Sequence, residues 1–575
     1  MNRTRLTRAG VALAALSALV VAPAASAYEL PATPGTLAKP AKKITKLTVQ
    51  KSACSSPTAN KTCFTTIQAA VNASKQTTHK VEYTITVMPG TYAESVTVEG
   101  HALDGLTIQG STSKAADTKI DLSTLKGDAH KNAITVNATS GVTIKNLTVT
   151  HYGENGLWFV NVGVPADYVN TMDGGNVLIP NPLTQKLSKN ELFGGKAYTV
   201  DNVTASFGGR YGIFARTSVG GTITNSEAYY NDDSGFYIGE TPAQTKPSRT
   251  YITGVKSWGN ALGYSGTNSR YVTINKGSWF NNGMGIVPNI VMGEHWPAPS
   301  FNVYTDNDIY GNNFNYYEGA PFPSSSGQFG GGASYPVGIG ILLFGSQDSE
   351  ISKNRVWGNK LAGVAAINPG ILLKGSGNWN RLCGADNSLK TADCLQLKDA
   401  TELKRNKIFG NAFGRLGLNR NGRDITYAND GIGNCVGGTG ANANTFGGSQ
   451  TSLYTVGRTD KPSSTRPNDS WQSCDKSAYS ATLPNKITFA YFWMLTFAAN
   501  DSSSGSGPNP AIGDPGLGAN DPTGQDYVDN SHFEGRWWVW PGTESSWPSQ
   551  YGKPLERCKI TAPYQGCDGF AFGKP

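Results

Sequence analysis

The chain has 575 residues, a net charge of +8, only 16% charged residues and 69 glycines. Such a composition excludes a long-helix or coiled-coil protein, and the absence of a clustered basic face argues against a nucleic-acid partner. Many Asn, Thr, Tyr and Val residues among the glycines favour short strands joined by tight turns.

Residues 1–27 place Arg3, Arg5 and Arg8 before an apolar run from Val11 to Ala22 and end in Ala25-Ser26-Ala27. This is the pattern of a secretory signal peptide. A secreted, extracellular protein is therefore expected, and removing the three arginines lowers the charge from +8 to +5. No later stretch reaches the ~18 apolar residues that suggest a membrane span. Residues 28–52 hold KPAKKITK and read as a solvated basic tail.

Eight cysteines in an exported chain point to disulfides. Sequence order offers Cys54–Cys63, Cys383–Cys394, Cys435–Cys474 and Cys558–Cys567, and counting alone leaves other connectivities open. CFTTIQAAVNAS (63–74) predicts an amphipathic helix with Ile67, Ala70 and Val71 on one face. Its position suits a plug over the open end of a solenoid.

The solenoid is read from a repeat. TITNSEAYYNDDSGFYI, YITGVKSWGNALGYSG, TINKGSWFNNGMGIVP, VYTDNDIYGNNFNYYEG, EISKNRVWGNKLAGVAA and ELKRNKIFGNAFGRLG begin at Thr222, Tyr251, Thr273, Val303, Glu350 and Glu402. Segments from Val142 and Thr199 fit the same frame. Each reads as three short β runs separated by turns, one coil of the stack. The fold class is therefore all-β, a single-stranded parallel β-helix, spanning residues 53–430, with a disulfide-stapled, Trp-rich region over 431–575. Asn146, Asn202, Asn225, Asn307, Asn354 and Asn406 recur at the first bend, as a structural column bonded from coil to coil.

TIQAAVNAS followed by ITVMPGTYAESVTV resembles the opening of the pectin-lyase-like right-handed parallel β-helix superfamily. DDSGFYIGETP, with the coils after it and GMGIVPN, resembles a group of secreted bacterial right-handed β-helix repeat proteins. The resemblance covers roughly residues 53–440 and implies the fold. It leaves function open among lyases, hydrolases, esterases, epimerases and non-enzymatic adhesins. It also implies that a polysaccharide cleft would lie along the first sheet. Insertions at 161–197, 288–302, 315–338 and 367–400 are all expected after the post-glycine strand, walling that sheet on one side.

Aligning Gly156, Gly212 and Gly235 sends Leu157, Ile213 and Phe236 inward. Trp158, Phe214 and Tyr237 then face outward as a ladder suited to sugar rings, with Arg216 farther along and Trp296 in an insertion as further substrate contacts; burial under the 161–197 loop is the alternative. Two positions before those glycines stand Glu154, Arg210 and Asp233, with Asp232 alongside. Carboxylates separated by a cation have pKa values pushed apart, which suits acid–base catalysis. A structural ion ladder is the competing reading.

A polygalacturonase-like hydrolase would add Gly-His-Gly and Arg-Ile-Lys elements, which do not follow Asp232-Asp233, and methylesterase motifs are missing too. A lyase would use Arg210 or Arg216 as base, with calcium as the one metal that Glu240, Glu154 and the aspartates would suit. His151 and His295 read as lone polar loop residues. Trp537, Trp538, Trp540 and Trp547 read as packing around the last disulfide.

The expected function is a carbohydrate-active protein, a polysaccharide lyase or glycoside hydrolase on an extracellular polymer, acting as a monomer. A non-catalytic binding or cell-surface protein is the alternative. Burial of Asp233 against its turn, with the 161–197 loop sealing Trp158, would favour that alternative.

Overall fold

The computed structural model describes residues 43–51, 54, 62–77, 81–164, 197–244, 247–291, 294, 296–312, 338–359, 362–369, 383–384, 391–414, 421, 424–428, 431–446, 453–456 and 473–475. The signal-peptide segment, His295, Cys558, Cys567 and the four C-terminal tryptophans lie outside them.

Each coil contributes one strand to an eleven-stranded sheet whose members stack in chain order, from Val96–Glu99 to Leu453–Val456. Every pairing recorded between strands is parallel, as in Leu157↔Ile213↔Phe236↔Tyr264↔Ile286↔Ile341↔Val364. The remaining two strands of each coil form a twenty-two-stranded array, continuous because Val142–Thr150 and Tyr198–Gly208 run around a corner. A chain in which each strand meets its counterpart one coil later has no room for an antiparallel hairpin. Inward positions alternate with outward ones, so Ile144, Val200, Ile223, Ile252, Ile274, Tyr304 and Ile351 form one column inside the solenoid.

The corner after that column needs a left-handed residue, supplied by Asn146 (φ 57°), Asn202 (φ 52°), Asn225 (φ 50°), Lys276, Asp306 and Lys353. The asparagines expected in one column therefore fall into three. Asn202 Nδ2 donates to Asn146 Oδ1 at 2.8 Å on the outside of the bend. Asn307 and Asn354 stand one position later, buried, and continue into Asn411 and Asn444. Asn406 belongs to the preceding corner, where it bonds Asn434 at 3.0 Å. The register expected for the last repeat is thus displaced by five residues. Lys407–Phe409, not the run before it, pairs with Glu350–Ser352. The cause is that Asn-x4-Asn recurs at successive corners, so two frames match equally well in sequence.

Beside a further asparagine column (Asn231, Asn260, Asn282, Asn312, Asn359, Asn421) runs a column of glycines. A Cβ on Gly263, Gly285 or Gly340 would lie 2.4–2.5 Å from the carbonyl oxygen of the next glycine in the column. The post-turn glycine of the repeat is demanded by this close approach of coils.

Three expectations about boundaries change. Lys43–Val49 is a strand, not a solvated tail; it pairs with Val81–Val87 and buries Leu47 and Val49. The coils continue past residue 430, since Cys435–Val436, Thr445–Phe446 and Leu453–Val456 each pair with the coil before. The insertion at 315–338 joins Asp308–Tyr310 to Ile339–Phe344 and so precedes the eleven-stranded sheet, while the other three follow it. The true third strand of that coil is Ile339–Phe344, and NYYEG falls in the insertion.

The helix spans Ile67–Ala73 with Ile67, Ala70 and Val71 buried. Thr66 caps it, and Glu94 accepts from the amides of Ile67 (2.8 Å) and Gln68 (3.0 Å), placing a carboxylate at the positive helix end. Cys54–Cys63, Cys383–Cys394 and Cys435–Cys474 are bonded.

Candidate functional site

The outer face of the eleven-stranded sheet is divided. Toward its later coils it is apolar, with Leu262, Met284, Val287, Ile339, Leu342, Ala365 and Ile367 packed together. Polar chemistry gathers on the coils before them, around Tyr211–Arg216 and Ser234–Gly239.

The register places the predicted ladder as expected, Trp158↔Phe214↔Tyr237, with Leu157, Ile213 and Phe236 in the interior. The rings stack on one another, at 6.5 Å and 7° for the first pair and 4.6 Å and 19° for the second. Phe214 (7% exposed) and Tyr237 (6%) are buried, and Trp158 is half-buried. Phe214 therefore has a ring neighbour on each side, and Tyr211 packs against both Phe214 and Tyr237. Stacking on a sugar needs a free ring face, and in this ladder both faces of Phe214 are covered. Trp296 has no exposed surface, so its ring meets only protein.

Glu154, Arg210 and Asp233 are brought level on successive coils. The Tyr211 amide donates to Glu154 O, and the Asp233 amide donates to Arg210 O, both at 3.0 Å. The Arg210 guanidinium lies 5.3 Å from the Tyr211 ring centroid. Tyr211, then Asp233 and Glu154, hold it more firmly charged than usual despite its burial. Asp233 is buried and accepts from Ser234 Oγ at 2.6 Å. Burial lifts its pKa to about 6, against the opposing pull of Ser234, Arg210 and Tyr211. Asp232 is buried at the same turn, its amide donating to Gly208 O.

At the other end of the same two strands Arg216 Nε pairs with Glu240, whose side chain is buried. Burial opposes the charge on Arg216, but Glu240 and then Glu294 hold it strongly protonated. Glu294 comes from the insertion after Met284–Val287; the sequence offers it there beside His295 and Trp296 as a substrate contact or simply as part of a Pro-rich loop, and nothing periodic ties it to the other charges. Its pKa is raised well above the carboxylate range, first by burial and then by Glu240, with Arg216 and Arg210 working against the rise and Asp233 adding to it. Tyr237 is also pushed well up, by burial and by Glu294, Tyr211 and Glu240. Glu294 thus stands within electrostatic reach of Asp233, Glu240 and both arginines.

Among the described residues, Arg210 Nε and Glu294 Oε2 are sealed from solvent without a hydrogen-bond partner. Buried orphans are costly, by about 1–3 kcal/mol each, and they need a reason. Calcium takes about six to eight oxygen ligands, and Glu240, one of the residues expected to suit it, is paired with Arg216. Among the described residues no group of three or more His, Cys, Asp or Glu side chains is placed to hold a metal ion. His151 is remote in role: it faces Asp121 Oδ1 at 3.1 Å and stacks on Phe207.

Residues 191–370 match the family described as the right handed beta helix region. No curated protein matches the chain. Among solved structures it is similar to the A-module of the Azotobacter vinelandii mannuronan C-5 epimerase AlgE4, at 16% identity over 66% of this chain and 90% of that one, with a TM-score of 0.37. It is also similar to pectate lyase Pel9A, at 14% identity over 79% and 97%, TM-score 0.33. The Dettilon tailspike protein is a third, at 13% over 66% and 62%, TM-score 0.32. Scores of this size carry no argument about activity or about equivalent residues. The stacked parallel coils and the matched segment make the chain a right-handed parallel β-helix protein, with no specific enzyme family matched.

Proposed function

We propose that this is an extracellular carbohydrate-active protein that cleaves glycosidic bonds of a polysaccharide lying across the early coils of the eleven-stranded sheet. The observation that carries this reading is the pair of charge clusters at the two ends of Tyr211–Arg216 and Ser234–Gly239, Arg210 with Asp233 at one end and Arg216 with Glu240 at the other. Two acids with raised pKa values beside fixed cations are what proton transfer to and from a sugar linkage requires. Three bonded cystine pairs suit an oxidising compartment.

Hydrolysis is favoured over elimination. A lyase needs a base strong enough to take a proton alpha to a uronate carboxylate, and an arginine serves only if its pKa falls. Arg210 and Arg216 are both shifted the other way, as is Tyr237. An acidic polymer remains the preferred substrate class, because Arg210 and Arg216 both keep their charge beside this sheet.

A panel of neutral and uronate-containing polysaccharides, read for reducing ends and for absorbance of unsaturated uronates with and without chelator, tests this. New reducing ends without absorbance, unaffected by chelator, are expected. Asp233→Ala with full activity would remove Asp233 from the chemistry. The non-catalytic reading is favoured by the burial of Asp233 and of Phe214 and Tyr237. It predicts retention on a polysaccharide column with no bond cleavage.

A further inference from the structure

The geometry points to a carbohydrate-binding surface made by Arg249, Tyr251, Tyr271 and Phe301, which holds a uronate-bearing chain at the corner leading into the twenty-two-stranded array. The surface lies outside the eleven-stranded sheet and does not depend on any cleavage there.

Arg249, Tyr271 and Phe301 fall at one corner of three successive coils, in the register that pairs Thr250 with Val272 and Thr273 with Val303. Tyr271 (φ 56°) and Phe301 (φ 58°) are both left-handed there. A bulky ring is unfavourable in that conformation, which Asn and Asp suit better. Elsewhere the solenoid meets the same demand with Asn146, Asn202 and Asn225. Here two aromatic rings take the position, and neither joins the core: Phe301 is 40% exposed and Tyr271 is half-buried. Residues that are both strained and exposed cluster at functional sites.

The rings are placed to meet sugars. Tyr271 and Phe301 stack with centroids 5.4 Å apart and planes 9° apart. Each covers one face of the other, and among the described residues no third ring covers the second face of Phe301. Tyr251 is 46% exposed and stands between Thr222 and Thr273 on the neighbouring coils, with no ring stacked on it among the described residues. A free aromatic face can pack on the apolar face of a pyranose. Two coils separate Tyr251 from Phe301, about 10 Å at ~4.8 Å per coil, so one chain running along the solenoid axis meets both.

Arg249 supplies the charge. Its Nη1 donates to Phe301 O at 2.9 Å and to Val272 O and Thr273 Oγ1 at 3.3 Å, which fixes the guanidinium beside the stacked pair. All three acceptors are neutral, and among the described residues no carboxylate pairs with Arg249. Arg405, at the same corner two coils beyond Phe301, is by contrast held by Asp348. A fixed guanidinium without a counter-ion, next to free ring faces, selects a carboxylate-bearing sugar over a neutral one.

The test is affinity electrophoresis of the full chain in gels holding polygalacturonate, alginate or hyaluronan, each beside its carboxyl-reduced form. At least one acidic polymer should retard the protein roughly tenfold more strongly than its reduced form. Tyr251→Ala/Phe301→Ala should weaken that binding by roughly tenfold or more, and Arg249→Gln should erase the preference for the acidic form. If the double variant melts early, Tyr251→Ser alone, at an exposed strand position, gives the same reading. Migration unaffected by every polymer, or retardation unchanged by loss of these rings, overturns the proposal. So does a dimer in sedimentation that the double variant abolishes, because the patch would then be a contact between copies. Retardation that persists in Asp233→Ala, or in a wild type that cleaves no polymer, supports the surface whether or not the hydrolytic reading stands.

Discussion

Asn307 donates its side-chain amide to Asn354 Oδ1 at 3.0 Å, and Asn354 repeats the bond to Asn411 Oδ1 at 3.0 Å, one coil further on. All three side chains are buried, at 0–1% exposure. Each also caps backbone that the corner would otherwise orphan: Asn354 Oδ1 accepts from the Asn307 amide, and its Nδ2 donates to Tyr304 O. The ladder is the polar counterpart of the isoleucine column, and it lets a sharp bend be buried with its polar groups satisfied.

Replacing Asn354 by Ala should therefore strip partners from the Asn307 amide, the Asn307 side chain and Tyr304 O at once. At about 1–3 kcal/mol per buried orphan, the expected loss is on the order of 4 kcal/mol, seen as a lower denaturant midpoint. A change below about 1 kcal/mol would mean that water enters the corner and replaces the ladder.

Much of the fold is legible in the sequence, and the misses share a cause. The strand count per coil, the inward triad Leu157, Ile213 and Phe236, and the end helix all derive from periodicity, which a single chain displays openly. Register at the last coil is not legible, because Asn406 and Asn411 sit in equivalent local contexts and only pairing with Glu350–Ser352 tells them apart. Glu294 is legible only as a candidate substrate contact beside His295 and Trp296, and its link to the other charges is not. Its partners Glu240, Arg216 and Asp233 lie 54 to 78 positions earlier in the sequence, and nothing periodic connects a loop carboxyl to them.

Gly285→Ala examines the close approach between coils. A Cβ there would stand 2.4 Å from Gly340 O, 3.0 Å from Asn312 Nδ2 and 3.1 Å from Ile309 Cγ2. Backbone oxygen cannot swing aside as a side-chain tip can, so the coils must separate. Overpacking costs about 1–3 kcal/mol in an ordinary core, and a loss at or beyond the top of that range is expected by thermal melting. A melting temperature equal to wild type would show that the stack breathes enough to admit a methyl group.

The disulfide Cys435–Cys474 closes 39 residues and Cys383–Cys394 only 11. On the chain-entropy account the longer loop contributes about 4 kcal/mol and the shorter about 3. Cys435→Ser/Cys474→Ser should accordingly lower the denaturant midpoint more than Cys383→Ser/Cys394→Ser. The reverse order, measured under identical conditions, would show that the helix at Ala392–Thr401 depends on its bridge for more than loop closure.

Asp233 ties stability to pH. Its folded pKa of about 6 lies above the 3.8 of the unfolded chain, so the native state binds the proton more tightly. The group's contribution is fully present below pH 3.8 and is lost as pH rises through about 6. A shift of roughly two units corresponds to about 3 kcal/mol. Asp233→Asn should flatten this part of the melting-temperature profile and be the more stable protein above the folded pKa, at about pH 7 to 8. Parallel profiles for the two proteins would place the ionised carboxylate comfortably in its turn.

Arg216→Met asks what holds Glu240. The Glu240 side chain is 3% exposed and Arg216 supplies its counter-charge. Removing Arg216 leaves the Glu240 charge behind, but the Arg216 side chain is 37% exposed, so solvent screens the pair and the loss should fall below the roughly 3–5 kcal/mol of a fully buried one. The double variant Arg216→Met/Glu240→Gln removes that charge and should recover most of the loss. Additive single effects would indicate that the two side chains act independently. The pair also bears on chemistry, because Glu240 is the charge that most disfavours ionisation of Glu294. In Glu240→Gln, Glu294 loses that neighbour and keeps the cations that favour its ionisation, so its pKa should fall. Titration of the Glu294 carboxyl followed by carbon-13 NMR should then move to lower pH, and an unmoved titration would show that burial alone sets it.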